Sequence, residues 1–181
     1  MSALANFVGY QTVWFIAVLG AARGTPWPAV AGFIAFAAWQ LGVSASRTSD
    51  LKLMALALLC GVLLDGALAM SGLLRYATPA PAVPTGGAPL WILALWLSFA
   101  LTFNHSLAWL RSRPAAAVLL GALGGPLAYA SAARLAGVVE FGPPRGVSLG
   151  VLAAGWAVAL LLLVRGAETW AAGQASGAVR A

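Results

Sequence analysis

Leu51–Tyr76, LKLMALALLCGVLLDGALAMSGLLRY, is an apolar run of membrane-spanning length with one carboxylate, Asp65, near its middle. A span needs about 20 residues at a rise of roughly 1.5 Å each. A charged Asp at the centre of such a helix costs roughly 2.5–3.5 kcal/mol on the insertion scale, and each Leu returns about 0.5. The Leu and Met content of the run offsets that cost, but the acid has to face protein or water rather than lipid. Gly61, Asp65, Ala69, Gly72 and Tyr76 recur at helical spacing, which predicts one small, polar face turned inward.

The rest of the chain agrees with a membrane setting. Hydrophobic residues make up 62% and charged residues 8%, with a mean hydropathy of +0.93. A soluble domain carries about 25% charged residues, so an integral membrane protein is expected, with no length left for a soluble domain. The net charge of +6 comes from ten basic residues that stand at the ends of apolar runs. Scattered in this way they suit topology control and anionic lipid headgroups. Nucleic acid, which needs a clustered basic face, is excluded as a partner. Cys60 is the one cysteine and can form no internal disulfide. The opening stretch lacks a basic leader and carries Gln11, Trp14 and Phe15, so it reads as a retained first helix.

Six helices are expected, at about Asn6–Ala22, Pro28–Val43, Leu51–Tyr76, Pro89–Leu110, Ala115–Ala136 and Val147–Val164. The fold class is therefore all-α: a polytopic bundle of six transmembrane helices over residues 1–166, followed by a short polar tail, 167–181. The loop from Ala77 to Pro89 is rich in Pro and Gly and reads as an extended, exposed connection. Pro126 should kink the fifth helix, and Gly121 with Gly125 gives it small-xxx-small spacing for close approach. Trp27, Trp91, Trp109 and Trp170 lie near helix ends, where interfacial anchors belong. Arg47, Lys52, Arg111, Arg113, Arg165 and Arg180 fall on one side, with Arg23, Arg75, Arg134 and Arg145 on the other. That bias places both termini in the cytoplasm.

Helix rise then gives depths. His105 lies about 9 Å in from Arg111, Asn104 and Gln40 about 10 Å, and Gln11 about 8 Å, which makes one polar layer. Asp65, about 20 Å from Lys52, and Tyr129, about 21 Å from Ala115, share a second and deeper layer. Asp65 is thus expected to pair with Tyr129, or with Arg134 reaching down from the interface. Ser98, Thr102, His105 and Trp109 recur on one face of the fourth helix as it is drawn here. An apolar interior with a few converging polar groups is the form of a ligand site. The candidate binding residues are Asp65, Tyr129, Asn104, His105, Gln11 and Gln40. The function expected is binding or transport of a small or lipid-like ligand.

Catalytic motifs are thin. Gly146–Gly150 matches G-x-S-x-G, but no strand precedes it, and Ser148 sits at the opposite end from the one histidine, His105. One His, one Cys and four scattered acids supply no metal site, and no cofactor motif is present. A lipid-acting enzyme using Asp65 or His105 as acid or base, and a scaffold whose polar residues only join helices, are the alternatives.

Four stretches carry a family resemblance: NFVGYQTVWF (6–15), GVLLDGALAMSGLLRY (61–76), LWLSFALTFNHSLAW (95–109) and GALGGPLAYASAARLAGVVEF (121–141). The chain resembles an uncharacterised family of small bacterial inner-membrane proteins, a domain of unknown function. The resemblance covers most of the chain and implies an inner-membrane location with no assigned activity. Genes of that family often stand beside fatty-acid-modifying enzymes such as cyclopropane-fatty-acid synthases. The resemblance thereby implies a link to membrane lipid modification and a lipid-modifying partner enzyme, and it carries over no catalytic residue.

Overall fold

The computed structural model describes residues 2–178, with side chains described as far as Ala171. Helix α1 spans Ala3–Ala22, α2 Trp27–Val43, α3 Arg47–Met70, α4 Leu90–Ala100, α5 Pro114–Ala136 and α6 Arg145–Ala178. Strands β1 (Leu74–Tyr76) and β4 (Val139–Phe141) form one antiparallel pair, and β2 (Ala82–Val83) and β3 (Ala88–Pro89) form another. Successive helices alternate in direction. One end of the bundle therefore holds the starts of α1, α3 and α5, and the other holds the strands.

Local sequence accounts for the helix ends. Ser2 caps α1 through the Ala5 N–H at 3.2 Å. Pro114 opens α5, where its missing N–H is not needed. Gly137, at φ +63°, closes α5 in the left-handed conformation. Pro126 leaves the Ala122 carbonyl without its usual donor, yet α5 runs through it unbroken.

α1, α3, α5 and α6 are long and apolar enough to cross a membrane, whereas α2 and α4 are shorter. Large apolar side chains stand exposed around the bundle, among them Leu63, Leu123, Leu127 and Leu135. Inside, α4 packs on α1, α2 and α3, while α5 and α6 pair along their length. Trp91, Trp96 and Phe103 are among the largest fully buried side chains. A Cβ at Gly121 or Gly125 would strike Trp156, and one at Gly155 would strike Leu64, so α6 sits in glycine-lined contacts. The close approach foreseen for Gly121 and Gly125 is made here.

Three expected helices have different ends. α3 stops at Met70, because Gly72 adopts φ +72° and turns the chain into β1. Leu74 and Tyr76 then face inward and Arg75 outward, opposite Phe141, Val139 and Glu140 respectively. Tyr76 therefore belongs to a strand, not to a polar face of α3. The fourth helix ends at Ala100, ten residues short of the expected end; turns follow, with one turn of 3₁₀-helix at Ala108–Leu110. Here polar side chains take the backbone's partners: Thr102 Oγ1 donates to the Phe99 carbonyl at 2.6 Å, and Asn6 Nδ2 donates to the Leu101 carbonyl at 3.0 Å. Ser98, Thr102, His105 and Trp109 consequently do not share a helical face. α6 continues past Val164 to Ala178, so most of the expected tail is helical.

The loop between β1 and α4 is only partly exposed. Thr78, Ala88 and Pro89 are buried, and Trp91 donates its indole N–H to the Thr78 carbonyl at 3.0 Å. Trp91 is thus a core residue rather than an interfacial anchor, while Trp27 and Trp109 are exposed. Lys52 lies over the Trp170 ring, 5.9 Å from its centre, which brings late α6 to the end of the bundle where α3 begins. Arg180 lies outside the described residues.

Candidate functional site

Asp65 is fully buried in α3 and draws in three other elements. Tyr76 of β1 donates its hydroxyl to Oδ1 at 2.6 Å, and Tyr129 of α5 donates to the same oxygen. Trp96 of α4 donates its indole N–H to Oδ2 at 2.7 Å. Three neutral donors thus satisfy both oxygens of the buried carboxylate. Burial pushes the Tyr76 phenol well above its ordinary range, with the Asp65 charge adding to the shift, so this phenol remains a donor. The pairing of Asp65 with Tyr129 expected from depth is present. Arg134, the other expected partner, is exposed and makes no contact with Asp65.

Glycine makes this centre possible. A Cβ on Gly61 would lie 2.5 Å from Trp96 Cδ1, so only a bare backbone lets the indole lie across α3 and reach Asp65 one turn on. Trp96 stacks on Trp156 at 4.3 Å between ring centres, and Trp156 in turn lies against Gly125. The buried indole N–H of Trp156 has no acceptor.

A second polar network occupies the end where α3 begins. Asp50, also fully buried, accepts from Ser44 Oγ at 2.5 Å and Asn104 Nδ2 at 2.8 Å, and His105 Nε2 lies 3.3 Å away. Beside it, Asn6 donates to Gln40 Oε1 at 2.8 Å and accepts from Ser106 Oγ at 2.6 Å. Gln40 Nε2 and Asn104 Oδ1 have no partner. The irregular segment 101–107 is thereby tied to α1, α2 and α3. Gln40 joins Asn6, and Asn104 and His105 join Asp50; Gln11, expected in the same layer, belongs to neither set. Neither linking residue stood out in the sequence: Asn6 stands at an expected helix start and Asp50 just before the apolar run. The one signal for Asp50 was an acid in the first turn of α3, immediately before an apolar run.

Between α1, α4, α5 and α6 lies a cavity of about 440 Å³, lined by Phe7, Tyr10, Gln11, Trp14, Thr102, Ser106 and Trp156 among others. Tyr10, Trp14, Ala128 and Trp156 also line a chamber of about 40 Å³, whose other walls include Trp96 and Tyr129. The chamber thus reaches two of the three donors to Asp65. Gln11 faces the larger cavity. Gln40, Asn104 and His105 line neither space. The six candidate residues therefore fall into three places: the Asp65 centre, the cavity wall and the Asp50 network. Ser148 donates to the Gly142 carbonyl at 2.9 Å, a structural role at the start of α6.

A family model described as "Protein of unknown function (DUF2878)" matches residues 3–162. The chain belongs to this family. The stretch that defines the family holds both buried aspartates and both cavities. No curated protein matches the chain, and neither does any solved structure.

Proposed function

We propose that this DUF2878 chain is an inner-membrane protein that takes a small or lipid-like ligand from the bilayer into the cavity beside α1 and α5. The observation that carries this reading is the cavity itself. At about 440 Å³ it is of ligand size, its walls are largely apolar, and Gln11, Thr102, Ser106 and Ser131 are among its polar points. Phe7, Phe15 and Leu135, exposed at its rim, would face lipid and let an apolar molecule enter sideways.

In this reading all six helices lie in the membrane, with α4 enclosed by its neighbours. Both termini are cytoplasmic, because Arg47, Lys52, Arg111, Arg113 and Arg165 gather toward the Asp50 end. Gln11 and Tyr129 would meet the ligand or its chamber, and Asp65 would act through Tyr129 and Trp96. Gln40, Asn104 and His105 would hold the 101–107 segment, from which Thr102 and Ser106 reach the cavity.

Native mass spectrometry of gently purified protein tests this reading. One retained molecule is expected, and it should be lost in Gly124→Leu. Gly124 lines the cavity, and an added Cβ there meets nothing nearer than Leu120 at 3.7 Å. A wild-type protein that carries no bound mass overturns the proposal.

A further inference from the structure

We propose that the ligand is a lipophilic organic cation, with Asp65 as its counter-charge. The inference rests on the cavity reading above and adds the chemical class of the occupant. Its first support is a census of acids. The chain has four. Glu140 pairs with Arg75, Glu168 with Arg165, and Asp50 with His105. Asp65 alone has no basic partner among the described residues, and its three contacts are neutral donors. Once ionised, a buried carboxylate in this state sets up a negative field in a medium where charges interact far more strongly than in water.

The second support is what the field reaches. Among the described residues, no Lys, Arg, His, Asp or Glu side chain lines the cavity or the chamber. Asp65 stands behind the chamber wall, hydrogen-bonded to two of its lining residues, Tyr129 and Trp96. An anionic headgroup in the chamber would meet that field with nothing to balance it. A cation would be drawn in.

The third support is the walls themselves. Tyr10, Trp14, Trp91, Trp96, Tyr129 and Trp156 surround the chamber. Aromatic faces are negative, and a desolvated cation against several of them is held by their combined quadrupoles. The chamber has room for a compact cationic centre, and the adjoining cavity for an apolar body. The two needs of a lipophilic cation, a dry negative end and an apolar berth, lie side by side.

Equilibrium binding to the full chain in nanodiscs of neutral lipid, with empty nanodiscs subtracted, tests this. The probes are decyltrimethylammonium, a compact cation on an apolar chain, and its uncharged isostere 2,2-dimethyldodecane. The cation is expected to bind at least tenfold more tightly, and Asp65→Asn should abolish that preference. Equal binding of both probes overturns the cation inference and leaves the cavity reading standing. Binding of neither overturns both. A preference that survives in Asp65→Asn overturns the role given to Asp65. The wild-type comparison of the two probes decides the matter even where Asp65→Asn does not fold.

Discussion

Asp65 and Asp50 lie on the same helix about four turns apart, both fully buried, and they are solvated by protein in opposite ways. Asp65 is held by aromatic donors with few rotatable bonds; Trp96 is seated on Gly61, and its stacking partner Trp156 on Gly125. Asp50 is held by a serine, an amide and an imidazole from short connecting segments, within a network that leaves two polar atoms unpartnered. The first arrangement fixes a charge in a stiff frame. The second secures a stretch of irregular backbone, which needs adaptable partners more than rigid ones. Equal burial of the same side chain thus serves two ends, and the partners tell which.

The comparison can be broken most severely at its stiff side. Asp65→Ala strands two phenols and an indole in the core, and at about 1–3 kcal/mol per unsatisfied buried group a loss of about 3 kcal/mol or more is expected. Thermal unfolding in mild detergent should show a large drop in midpoint; a shift within error would mean that the three donors find other acceptors. Next comes the glycine frame. Gly125→Ala drives a methyl into Trp156 and should cost about 1–3 kcal/mol, while Gly124→Ala beside it should stay within about 0.5 kcal/mol of wild type. Similar stabilities for that pair would remove the argument for a rigid frame.

The adaptable side should give less. Asn104→Ala removes donors to Asp50 and Ser49 but also an acceptor that had no partner, so about 1 kcal/mol is expected. A loss as large as that of Asp65→Ala would erase the contrast between the two sites. The smallest effect belongs outside both. The Arg75–Glu140 pair spans 3.6 Å with both side chains largely exposed, and Arg75→Ala should change stability by less than about 0.5 kcal/mol at any salt concentration.

Much of this was legible in the sequence. An acid inside an apolar run is costly enough to demand partners, and counting helix rise placed Tyr129 at its depth. The helical nature of the chain and a close approach at Gly121 and Gly125 followed from hydropathy and glycine spacing; that α6 is the partner did not. Tyr76 was tied to Asp65 for the wrong reason, since its helical spacing was accidental and it arrives from a strand after Gly72 turns the chain. Trp96 gave no signal of its role, because an indole in an apolar helix looks the same whether it donates or only packs. The early end of α4 was hidden for a related reason. Thr102 and Asn104 look like interior polar groups on a helix, and whether they lure backbone partners away depends on Asn6 and Asp50, distant in sequence.

The shortness of α4 has a consequence for biogenesis. Eleven residues make about 16 Å of helix, near half of a hydrocarbon core of about 30 Å. The turns that complete its path carry peptide groups that lipid cannot satisfy. In the six-span arrangement proposed above, such a segment would have no stable stay in the bilayer before its neighbours arrive. It would have to leave the insertion machinery already sheltered by α1, α2 and α3, the helices made before it and the ones it packs against. The order of the genes' codons is then also the order in which the bundle can be closed.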